Sequence, residues 1–170
     1  MRKNTRFLVQ SGVIAALYLV MTHLQNFIFP ESASMAVQFR ASEALCVLAF
    51  FTPAAIPGLS LGCLLFNITS GAALPLDFLV GTLASALAAS GMWATRNLRL
   101  RSFPLLGLAM PAIFNSFLVG WELTYYIGGG FPINALCVAL GELGVLFTLG
   151  VVLYYAIKAR NLDQKLFRRL

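Results

Sequence analysis

The sequence predicts an all-α membrane protein: one domain over residues 1–170, built from six transmembrane helices with cytoplasmic N- and C-termini and with helices 2 and 3 short. Three observations carry this reading. The first is composition. Hydrophobic residues make up 59% of the chain and charged residues 11%, and the mean hydropathy is +0.84. Soluble domains run near ~25% charged, so a soluble fold is excluded. So are disorder and collagen. Cys46, Cys63 and Cys137 lie in apolar runs without paired spacing, which excludes a disulfide scaffold.

The second observation is charge placement. Basic residues cluster as Arg2/Lys3/Arg6, Arg96/Arg99/Arg101 and Lys158/Arg160/Lys165/Arg168/Arg169, leaving only Arg40 elsewhere. Lysine and arginine beside spans remain cytoplasmic, so the chain crosses an even number of times between the first two clusters. The third is the stretch Glu43 to Asn67, long enough for one span of roughly 20 residues but carrying Pro53 and Pro57. Proline removes a donor and crowds the preceding turn. Splitting the stretch there makes the crossings even.

The expected helices are 7–25, 43–52, 55–69, 77–95, 104–126 and 133–158. Helix 1 follows the first basic cluster, and helices 4 and 6 end on the other two. Helices 2 and 3 are short; ten α-helical residues rise only ~15 Å. Interrupted segments at membrane depth are tolerated against protein or a watery cavity, so a cavity is expected beside this pair. The basic, apolar start resembles a signal peptide, but the only small-residue stretch fit for cleavage, Ser32-Ala33-Ser34, lies beyond the polar Gln25 and Asn26. Asn67-Ile68-Thr69 matches a glycosylation sequon but ends an apolar helix.

This topology sorts the polar residues. Arg40 and Glu43 start helix 2, Asn67 ends helix 3, and Asp77 starts helix 4. Asn115 and Glu122, seven apart and so on one face, fall in the outer half of helix 5. Glu142 lies deeper in helix 6. A carboxylate in hydrocarbon costs a few kcal/mol or more and normally faces a cavity. The competing readings are bundle glue for Glu122 and Glu142, a helix cap for Asp77, an interfacial ion pair for Arg40 and Glu43, and an aromatic belt for Trp121, Tyr125 and Tyr126. Carboxylates, an amide and aromatic rings suit a flat heterocycle whose N–H edge bonds a carboxylate and whose faces stack. The loop 27–41 is long enough to be a lid.

Small-residue stripes mark close helix packing. Helix 1 carries Gly12-x-x-x-Ala16 beside Ser11-x-x-x-Ala15, and helix 4 carries Gly81-x-x-x-Ser85-x-x-x-Ala89. No P-loop and no metal-spaced cluster occurs, so no metal, cofactor or catalytic residue is expected. Gly58-Leu59-Ser60-Leu61-Gly62 matches G-x-S-x-G, a motif that needs a strand–turn–helix. An intramembrane serine hydrolase built on Ser60 would have only His23 as its base.

Gln38-Phe39-Arg40-Ala41-Ser42-Glu43-Ala44-Leu45 resembles the Q-F-R-x-S-E-A-L signature of the QueT family. Pro53-x-x-Ile56-Pro57-Gly58, Gly62-Cys63-x-x-x-Asn67, Asp77-x-x-x-Gly81, Pro111-x-x-x-Asn115 and Gly141-Glu142 resemble its later segments. The resemblance implies the six-helix substrate-binding (S) component of an energy-coupling factor transporter in a bacterial plasma membrane. Its ligand would be a queuosine precursor, a 7-deazaguanine base or nucleoside. It also implies a transmembrane coupling subunit and two ATPase subunits as partners, beside the lipid bilayer and without nucleic acid. The S-component docking stripe falls here on Gly12, Ala15 and Ala16. The expected ligand-binding set is Gln38, Arg40, Glu43, Asn67, Asp77, Asn115, Glu122, Tyr125 and Glu142. An S component for another vitamin, such as riboflavin or thiamine, is the neighbouring alternative.

Overall fold

The computed structural model describes residues 3–30, 39–71, 73–99 and 103–167. Among the described residues six helices follow the expected order, and a short π-helical turn, Asp163–Phe167, comes after them. Helix 1 is Lys3–Ile28, helix 2 Ala41–Phe50, helix 3 Ala55–Thr69, helix 4 Asp77–Ala94 and helix 5 Leu105–Tyr126. Helix 6 runs Phe131–Ala159, with a π-helical stretch at Leu146–Gly150. Helices 1, 4, 5 and 6 are long and apolar enough to cross a membrane; helices 2 and 3 are shorter and apolar. Large aliphatic side chains such as Leu8, Val20 and Leu83 stand exposed on the outside, which suits hydrocarbon rather than water.

Helix 2 departs from expectation. It is a 3-10 helix, not an α-helix. A 3-10 helix rises about 2.0 Å per residue against 1.5 Å for an α-helix, so its ten residues reach ~20 Å rather than ~15 Å. The extra reach has a visible use. Beside helix 1, Ala41 N donates to Gln25 Oε1 at one end and Thr52 Oγ1 bonds Gln10 Oε1 at the other. Eleven residues of helix 2 and its turn thus match fifteen of helix 1, ~22 Å in each case. Residues Ser42–Ala49 are all buried, and helix 2 touches every other helix. A segment apolar all round is stable only in such a central position.

The chain then reverses at the prolines. Phe51 and Thr52 close the 3-10 helix on Leu48 O, and Pro53 occupies the turn. Pro57 sits in the first turn of helix 3, where a missing N–H leaves no bond unmade. Helix 3 runs parallel to helix 1: Ser11 Oγ donates to Ala54 O, and His23 Nε2 meets Thr69 Oγ1 at the far end. Between them Gly58 and Gly62 permit backbone contact. A Cβ on Gly58 would lie 2.9 Å from Ser11 O, and one on Gly62 would lie 2.7 Å from Tyr18 Cβ. The Gly58-to-Gly62 spacing is therefore a packing stripe.

The helix 4 stripe packs as expected, with Gly81, Ala84, Ser85, Ala88 and Ala89 all buried. Gly128, Gly129 and Gly130 turn helix 5 into helix 6 at φ of 88°, 84° and 85°, a region L side chains avoid. Asn134 Nδ2 pins this turn through Gly128 O and Thr124 Oγ1. At the opposite end Arg96, Arg99 and Lys158 line one cavity, so members of two basic clusters gather where helices 2, 4 and 6 end.

Candidate functional site

The site grows from one face of helix 1 and from the central helix 2. Ser11, Ala15, Tyr18 and Thr22 are buried on a single stripe. Tyr18 Oη donates to Glu43 Oε1 at 2.5 Å, and Thr22 Oγ1 donates to Ser42 Oγ at 2.7 Å. In a 3-10 helix residues three apart eclipse, which sets Cys46 over Glu43. Cys46 Sγ donates to Glu43 Oε2 at 3.1 Å. Both Glu43 oxygens are thus satisfied.

Arg40 caps this arrangement just before helix 2 and is buried. Its guanidinium lies 5.9 Å from the Phe66 ring centroid. Glu43, Asp77, Glu122 and Glu142 all lie within Coulombic reach of it. Burial works against the charge, but the acids Glu43 and Asp77 favour it and help hold the Arg40 pKa above its ordinary value.

Helices 3 and 4 add an amide and a carboxylate. Asn67 Nδ2 donates to Asp77 O at 2.7 Å, joining the end of one helix to the start of the next. Gly81 makes room for it, since a Cβ there would lie 2.8 Å from Asn67 Nδ2. Asp77 Oδ2 accepts from Leu74 N at 2.7 Å, so the carboxylate ties down the preceding turn instead of capping its own helix. This Asn67 is buried, which fits the sequon being a chance match.

Helices 5 and 6 complete the cluster. Asn115 Nδ2 donates to Glu142 Oε1 at 2.6 Å. Glu122 is 0% exposed and lies against Asp77. Within this cluster four buried acceptors meet no donor among the described residues: Asn67 Oδ1, both Glu122 oxygens and Glu142 Oε2. A buried acceptor without a donor costs about 1–3 kcal/mol, more when charged. Four of them in one cluster offer acceptors that a molecule rich in N–H donors would satisfy.

A model of the QueT transporter family matches residues 8–159, an interval that includes every element of this cluster. The chain belongs to the QueT transporter family. No curated protein and no solved structure matches it. A QueT transporter is a membrane transport subunit, the substrate-binding component rather than an enzyme. The local chemistry agrees. Ser60 Oγ returns to Ile56 O at 2.7 Å and His23 engages Thr69, so the hydrolase reading of Ser60 fails on geometry.

Among the residues expected in the QueT site, Arg40, Glu43, Asn67, Asp77, Asn115, Glu122 and Glu142 come together. Tyr125 does not. It is 70% exposed and stacks on Trp121 on the outer surface, because its position on helix 5 faces away from the bundle. Gln38 and most of the loop 27–41 lie outside the described residues. On helix 1, Ala15 is buried under helix 3, which removes it from the docking stripe. Gly12 and Ala16 are exposed. Sequence reasoning missed the roles of Tyr18 and Cys46, and read Gly81 as helix packing rather than as room for Asn67. Tyr18 was legible as a polar-tipped ring on the stripe of Ser11 and Thr22, since a buried tyrosine hydroxyl needs a partner.

Proposed function

We propose that this chain captures a queuosine precursor, a 7-deazaguanine base or its nucleoside, as the S component of an energy-coupling factor transporter. The observation that carries the reading is the set of four donorless acceptors on Asn67, Glu122 and Glu142. A guanine-like edge offers adjacent N–H donors to a carboxylate, and an aminomethyl substituent adds an ammonium for the second acid, Asp77. Arg40 balances the acids, and Glu43 holds Arg40 and helix 2 in register. Gln38 completes the proposed binding set with Asn115.

In this reading six helices cross a bacterial plasma membrane with both termini cytoplasmic, following the basic clusters. The acids then open outward. ATP hydrolysis belongs to two separate ATPase subunits, reached through a transmembrane coupling subunit that docks on the exposed Gly12 and Ala16 of helix 1.

Isothermal titration of the purified chain with 7-aminomethyl-7-deazaguanine tests it. Saturable one-to-one binding is expected, weakened at least about tenfold by Glu122→Gln. Absence of binding at micromolar ligand would overturn the reading. Tight binding of riboflavin or thiamine instead, in a competition panel, would reassign the site to another vitamin.

A further inference from the structure

A cavity of about 370 Å³ opens at the end of the bundle away from the acidic cluster, where helices 2, 4 and 6 finish. Arg96, Arg99 and Lys158 line it, with Phe50, Asp163 and Phe167. Two of the cations rest on rings. The Arg96 guanidinium lies 3.7 Å from the Trp93 ring centroid, and Lys158 Nζ lies 5.5 Å from that of Tyr154. Arg96 also donates to Trp93 O at 2.6 Å and so caps helix 4. Three cations face one carboxylate, which leaves the cavity suited to an anion. Asp163 Oδ1 is buried and meets no donor among the described residues, so an occupant carrying a hydroxyl beside its charge suits the cavity better than a bare anion.

Phe167 also belongs to an adjoining apolar groove of about 390 Å³. Val9, Val13 and Leu17 of helix 1 form one side of it, and Leu153 and Ile157 of helix 6 the other. Gln10 Nε2 donates to Leu166 O at 2.8 Å and holds the C-terminal segment at the junction. A cationic cavity that continues into an aliphatic groove has the outline of a phospholipid, with its phosphodiester in the first and an acyl chain in the second.

We infer that this junction binds an anionic phospholipid whose headgroup carries hydroxyls. Arg99 and Lys158 hold the phosphate, Asp163 accepts from the headgroup, and one chain lies between helices 1 and 6. The site is separate from the acidic cluster and does not depend on the ligand proposed there.

Native mass spectrometry of the full chain tests it, in micelles holding equimolar phosphatidylglycerol and phosphatidylcholine with the same acyl chains. Preferential retention of phosphatidylglycerol is expected. Each lost cation near a membrane surface weakens such binding about fivefold, so Arg99→Gln with Lys158→Gln should lower retention about 25-fold. The pair Arg99→Lys and Lys158→Arg should restore it. Leu153→Trp fills the groove and should lower retention with the cations intact; it and the fall in wild-type retention with added salt stand in should the neutral pair fail to fold. Equal retention of both lipids would overturn the inference, as would a well-folded neutral pair that keeps the preference. Displacement of the lipid by equimolar glycerol 3-phosphate would also overturn it, by making the cavity a site for soluble anions.

Discussion

Glu43 and Glu122 are both buried, at 1% and 0% exposure, yet their surroundings differ in kind. Glu43 lies in the seam of helices 1, 2 and 3 and receives a hydroxyl and a thiol. Glu122 lies where helices 4 and 5 meet and receives no donor among the described residues. The first seam is closed by glycines and short side chains that bring backbones together. The second leaves both Glu122 oxygens and one of Glu142 without a donor among the described residues. A buried carboxylate with its donors in place is architecture; one without them is where the proposed ligand would bind.

The largest effect should come from breaking the closed seam. Gly62→Val would drive a side chain into Tyr18 Cβ and Ala15 O. A loss of about 3 kcal/mol or more, or failure to purify as a single species, is expected in thermal unfolding. Gly12→Val, with no atom near its Cβ, should leave the melting temperature unchanged.

Glu122→Gln sharpens the contrast from the open side. Affinity for the donor-rich ligand should fall about ten- to hundredfold, while the melting temperature holds or rises, because the neutral amide is spared the repulsion from Asp77. Tyr18→Phe should do the reverse, costing about 1–3 kcal/mol of stability by orphaning Glu43 Oε1 and moving ligand affinity far less. A matching affinity loss in both variants would erase the distinction between the two acids.

Ser60→Ala should produce the smallest change, within about 0.5 kcal/mol by thermal unfolding, since its hydroxyl only returns to its own helix. Ligand binding by the variant should match that of the parent.

Much of this was readable in advance for physical reasons. Long apolar runs ending in arginine and lysine leave few alternatives to helices of those lengths in a bilayer. Pro53 and Pro57 forbade one straight helix across residues 43–67, and the chain reverses where they stand. Seven of the nine expected binding residues converge because each is polar in an apolar segment and must find a partner. Tyr125 misled because an aromatic at a helix end suits a membrane interface as well as a pocket, and only its facing decides. Ala15 misled for the same reason, since the stripes Ser11-Ala15 and Gly12-Ala16 interleave, and one faces in while the other faces out. The Gly58-to-Gly62 stripe was hidden by its likeness to a hydrolase motif.

Composition, charge placement and the two prolines were enough to settle an all-helical membrane chain with its intramembrane acids away from its basic end, because solvation in hydrocarbon penalises other arrangements of those residues. Packing alone decided that helix 2 winds as a 3-10 helix. Eleven residues of helix 2 and its turn had to match fifteen on helix 1, and no local preference encodes the length of a neighbour. Packing also decided which buried acids keep their donors, because hydrogen-bond partners far apart along the chain are chosen by the register between helices.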